Sequence, residues 1–190
     1  MQRRRLSLSL LAMLVLIPVM ARGQTFPAAV QTPWNRYICT RITNAYTPII
    51  GQLGTTLIAN SPAAASTQVF NLTLPFNFKF IGTIYTGGSS VLRVGANGYI
   101  AFGSPSTSGA PDLSQSTGTQ MLFPYWSDIE PKGAPEGGIY WRVDGVTPSR
   151  VLTVEWRCQG AAGSPVTRNP GQFQAKLFEG SNKIEFHYSS

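Results

Sequence analysis

From Tyr46 onward, apolar and polar positions alternate in short runs. In STQVFNLTLPFNFKFIG, Phe76, Phe78 and Phe80 recur every second residue, with Asn77 and Lys79 between them. Successive side chains of a strand point to opposite faces, so this spacing predicts a strand with one aromatic face. Pro75 suits the first residue of a strand or an edge. SVLRVGANGYIAFG predicts two strands around Asn97-Gly98, a pair that tolerates the positive φ angles of tight turns. MLFPYWSDI reads as one apolar strand and EPKGAPEGG as the loop after it. GIYWRV, RVLTVEWRC, FQAKLFE and NKIEFHYS follow as further strands, with turns at Asp144-Gly145 and Gly180-Ser181-Asn182. In the last run Ile184, Phe186 and Tyr188 alternate with Glu185 and His187, which puts His187 on the solvent side. The pattern predicts about ten strands and no amphipathic helix. It describes an all-β chain folded as an antiparallel β-sandwich over residues 46–190. Residues 24–45 contain two prolines and no period, and form an irregular N-terminal segment. Residues 104–119, SPSTSGAPDLSQSTGT, are a polar loop with nothing to bury, and their role is open.

Residues 1–23 do not belong to that pattern. Arg3, Arg4 and Arg5 precede an apolar run from Leu6 to Met20, and Ala21-Arg22-Gly23 places small residues at −3 and −1. This predicts a signal peptide cleaved before Gln24, hence a secreted or cell-surface protein. The apolar run is shorter than the roughly 20 residues a spanning helix needs, so the chain is expected not to cross a membrane once cleaved.

The leader also changes the charge. Four of the 15 basic residues fall in it, leaving 11 against 8 acidic ones, so the formal +7 drops to about +3. These charges are scattered, which argues against a nucleic-acid partner. Two cysteines remain, Cys39 and Cys158. In an oxidising compartment an even pair predicts one disulfide; two buried thiols are the alternative.

FPYWSDIE, residues 123–130, is the densest stretch of chemistry. Two apart on a strand, Asp128 and Glu130 would share a face. They could offer oxygen ligands to calcium, or a carboxyl pair to a glycosidase. The same pattern also marks a strand meeting solvent: Asp128 caps the turn, and Glu130, just before Pro131, already lies in the loop. The last reading fits best. No nucleophile system competes with it, because His187 is the only histidine and no G-x-S-x-G occurs. One histidine and two distant cysteines also disfavour zinc. No cofactor and no catalytic residue is expected. Asn71-Leu72-Thr73 is a glycosylation sequon whose use the sequence does not decide. Tyr125, Trp126, Trp141 and Trp156 are the candidates for a binding surface, since exposed aromatics stack on sugars or anchor a protein partner.

The order of these pieces resembles the nidogen-type extracellular (NIDO-like) module of secreted and surface proteins. The pieces are LPFNFKFIGTIYT, VLRVGANGYIAFG, LFPYWSDIEP, GGIYWRV, VLTVEWRC and FQAKLFEGSNKIEFHYS. The segment before Tyr46 and the loop at 104–119 fall outside the likeness. The resemblance implies a non-catalytic adhesion or matrix-associated module, part of a larger protein, that binds an extracellular protein. A carbohydrate-binding module, or less plausibly a glycosidase, is the rival.

Overall fold

A computed structural model describes residues 37–43, 46–59, 68–103, 120–132, 137–160 and 171–189. The chain divides into two units, Met1–Arg41 and Ile42–Ser190. Of the first, residues 37–41 are described and carry no strand. The expected signal peptide at 1–23 and the loop at 104–119 lie outside the described residues.

The second unit is all-β. Its strands are β1 (Thr56–Ala59), β2 (Val69–Thr73), β3 (Phe78–Phe80), β4 (Thr83–Tyr85), β5 (Val91–Gly95) and β6 (Tyr99–Phe102). Then come β7 (Gln120–Leu122), β8 (Ile129–Pro131), β9 (Gly138–Asp144), β10 (Val151–Gly160), β11 (Gln172–Phe178) and β12 (Ile184–Tyr188). Every pairing is antiparallel. One sheet runs β1-β9-β10-β11-β12, with β8 on β10; a second runs β2-β5-β6-β7; β3 and β4 form a hairpin. The described strands number twelve rather than about ten. One reason is that MLFPYWSDI is not one strand: β7 belongs to the four-stranded sheet and β8 to the six-stranded one, and the chain changes sheets at Pro124.

The inner faces follow the period of two. Register puts Ile139, Val154 with Trp156, Phe173, Ala175 and Leu177 on one face of the large sheet, all fully buried. Leu72, Leu92, Val94 and Ile100 line one face of the small sheet. The indole N–H of Trp156 donates to the carbonyl of Gly95 at 2.9 Å, joining β10 to β5 across the core. Its ring stacks on Phe173, with centroids 5.2 Å apart. The β3–β4 hairpin closes on Phe102, whose ring meets Phe78, Phe80 and Tyr85 at 5.9, 4.7 and 4.8 Å.

The outer face of the large sheet is also covered. Residues 46–55 cross it strand by strand before entering β1. Gln174 of β11 donates to the carbonyl of Thr47 at 2.7 Å. Glu155 of β10 accepts the N–H of Ile49 at 2.8 Å. Arg142 of β9 donates to the side chain of Gln52. On this face Thr153, Glu155, Gln174 and His187 are buried although polar. His187 is therefore not on the solvent side: Glu185 holds its Nε2 at 2.9 Å, and Tyr188 is the exposed residue of β12.

At the end of β11, Glu179 clasps Arg150 with both carboxylate oxygens, at 2.8 and 2.7 Å. The guanidinium also stands 5.5 Å over the Phe76 ring. Hydrogen bonding from Arg150 holds the Glu179 carboxyl below its ordinary pKa. A lowered folded-state pKa means stability that is full above the unfolded value, about 4.3, and lost as pH falls through the folded one. Glu179→Gln should therefore flatten the fall of stability below about pH 5. Urea titrations at stepped pH check this; an unchanged acid slope would show the pair contributes nothing.

Candidate functional site

The bend between β7 and β8 carries Tyr125, Trp126 and Asp128. Pro124 has no N–H to continue a ladder, so the strand ends there. The next two N–H donors turn to the Asn97-Gly98 turn: Tyr125 N–H reaches the Gly98 carbonyl at 3.4 Å, and Ser127 N–H the Asn97 carbonyl at 3.2 Å. The turn needs Gly98, whose φ is +80°. A Cβ there would stand 2.2 Å from the Tyr125 carbonyl oxygen and 2.9 Å from the Phe173 ring.

The bend spreads its aromatics to two sides. Phe123 and Trp126 stack at 4.5 Å, and Trp126 meets Tyr99 edge-on at 6.1 Å. These rings lie over a small apolar cluster of Tyr99, Ala101 and Met121 on the far face of the four-stranded sheet. The Trp126 indole N–H is buried without a hydrogen-bond partner. Tyr125 points the other way. It lies 5.5 Å from the Phe173 ring and is 36% exposed. Tyr188, 53% exposed, donates its hydroxyl to the Pro124 carbonyl at 2.7 Å. Two solvent-facing tyrosines are thus fixed on one short bend, a ledge.

The four aromatic candidates separate. Tyr125 and Trp126 sit on the ledge. Trp141 is half-buried on β9, opposite Thr56 and Val154. Trp156 offers no surface, because it is wholly inside the core. Tyr188 was missed because period two paired it with Phe186 as an inward residue. Its place at the end of an outer strand was the only signal to the contrary.

Asp128 and Glu130 are held apart. Asp128 lies in the bend before β8, half-buried; Glu130 is within β8, not in the loop, and accepts from Gln159 Nε2 at 3.0 Å. β8 begins only at Ile129, so the two share no strand. Among the described residues, no group of three His, Cys, Asp or Glu gathers where a metal ion could be held. Nor is any helix there long and apolar enough to cross a membrane.

Both cysteines are free, Cys39 exposed and Cys158 buried. Burial, with the Glu130 charge adding to it, pushes the Cys158 thiol well above its ordinary pKa. A buried thiol is a poor nucleophile. In the reduced, folded protein iodoacetamide should label Cys39 within minutes and Cys158 only after unfolding. Equal labelling of both, read by mass spectrometry, would contradict this packing.

A family model described as NIDO related matches residues 36–190. No curated protein and no solved structure matches the chain.

Proposed function

The chain belongs to the NIDO-related family, and on that premise we propose that it works as an exported, non-catalytic contact module. Its contact surface is the ledge of Tyr125 and Tyr188, and its partner is an extracellular protein. The observation that supports this reading is the bond from the Tyr188 hydroxyl to the Pro124 carbonyl. It fixes the exposed Tyr188 ring against the bend beside Tyr125 before any partner arrives. Rigid tyrosines supply contact area at small entropic cost, and such residues dominate interface energetics.

Export belongs to the same reading. The asparagine of the sequon, Asn71, is exposed on β2 and open to modification if the source glycosylates it.

The test is a binding screen of the purified chain on arrayed extracellular proteins and, separately, on arrayed glycans. A saturable protein ligand that loses at least about tenfold in affinity with Tyr125→Ala or Tyr188→Ala supports the ledge. A ligand on the glycan array with the same dependence would transfer the surface to the carbohydrate reading. Turnover of a glycoside abolished by Asp128→Asn, with the fold intact, would end the non-catalytic one.

A further inference from the structure

The segment 46–49 is held as a guest peptide is held. Glu155 and Gln174 are directly opposite one another on β10 and β11, and both are fully buried. Gln174 Nε2 donates to Glu155 Oε2 at 2.6 Å, which fixes the pair as one unit. The same two atoms also hold main chain: Glu155 Oε2 takes the N–H of Ile49 and Gln174 Nε2 gives to the carbonyl of Thr47. Pro48 stands between them and has no N–H to place. A single side chain, Ile49, is buried as an anchor, while Thr47 and Pro48 are exposed. Tyr46 places its hydroxyl beside Glu155 and Arg157, and burial raises its pKa. Main-chain bonds for affinity and one side-chain pocket for choice are the components of extended-peptide recognition.

The grip is not saturated. Gln174 Oε1 and Glu155 Oε1 are buried and accept no hydrogen bond, although the Arg157 guanidinium is 3.6 Å from the latter. The tether to β1 is held mostly by bonds within itself, from Gln52 N–H and the Thr55 hydroxyl to the Ile49 carbonyl and from Thr55 N–H to the Gln52 carbonyl, while Arg142 ties Gln52 to the sheet. Gly51 and Gly54 have φ of +75° and +82° with nothing near a Cβ, and Leu53 between them is 99% exposed. Such a linker can swing as a unit at the cost of the Arg142 bond, without breaking a core.

We propose that Glu155 and Gln174 form a peptide clamp, filled by the chain's own Tyr46–Ile49, which the same segment of a second copy can fill instead. The clamp reads an extended X-Pro-aliphatic main chain. The second copy is the occupant because the only segment seen to fit is this chain's own, on a hinge that can release it. Nothing in the argument depends on the ledge.

The test uses the full chain carrying Ile49→Ser, which removes the anchor and leaves the clamp, and a fluorescein-labelled peptide of residues 44–52. Saturable binding is expected, at least tenfold tighter than to the unaltered chain, whose own segment competes. Adding Gln174→Leu should cost at least tenfold, and N-methylation at the peptide's Ile49 should do the same. A folded Ile49→Ser chain that does not bind, or binds regardless of Gln174, overturns the proposal. So does an Ile49→Ser chain that unfolds, since the segment is then a part of the fold and not a guest.

Discussion

Replacing Gly98 with alanine will cost the fold about 3 kcal/mol and unseat the bend that carries Tyr125. Two penalties add. A φ of +80° is disfavoured for any residue with a Cβ, by roughly 1–2 kcal/mol. The new methyl would also stand 2.2 Å from a backbone carbonyl oxygen, which cannot rotate aside as a flexible side chain could. The bend must retreat, and its two N–H bonds to the turn go with it. For a chain of this size the midpoint of thermal unfolding should fall by roughly 6–12 °C. Calorimetry measures that fall. Quenching of Trp126 fluorescence by acrylamide should rise at the same time, because Trp126 rides on the bend. An alanine variant with an unchanged midpoint would mean that the turn and the bend do not touch as described.

Trp156→Ala should be more damaging still, at about 4 kcal/mol or more. The side chain is the largest among the fully buried ones, it stacks on Phe173, and its N–H satisfies the Gly95 carbonyl. Removing it opens a cavity and leaves a buried carbonyl oxygen without its donor. Trp156→Phe separates the two losses. It keeps much of the stack but not the bond, and should cost roughly 1–3 kcal/mol. Urea unfolding of both variants decides the matter. Equal losses would mean the hydrogen bond carries everything; a negligible loss in Trp156→Phe would mean the bond adds nothing, and a negligible loss in Trp156→Ala would place Trp156 outside the core.

How far the sequence could be read depended on how each residue is held. The repeat of Phe76, Phe78 and Phe80 was legible from its period of two as a buried face, since all three are buried, although only Phe78 and Phe80 lie in β3 and Phe76 sits in the bend before it. The same rule failed on β10, β11 and β12, where both faces are covered. Glu155, Gln174 and His187 look like solvent-side residues, yet all three are buried, the first two beneath residues 46–55. That cover could not be foreseen, because it is fastened largely through backbone groups, which every sequence possesses. The run MLFPYWSDI misled for another reason. Apolar content is the same whether a segment stays in one sheet or passes between two, and only Pro124 marked the change. The ledge was half legible: Tyr125 and Trp126 were found from composition, whereas Tyr188 comes from a distant strand and joins them only through folding.

The position of β12 has a consequence for solubility. It is the outermost described strand of its sheet, and an outermost strand leaves hydrogen-bonding groups free to template another chain. Here that margin carries Glu185, bridged to Lys183 at 2.8 Å and to His187 at 2.9 Å. A strand arriving from a neighbouring molecule would have to strip water from the Lys183 ammonium, the exposed member of this group. Natural sheets use such guarded borders to stop growing, and this one is built to resist being continued into a fibre.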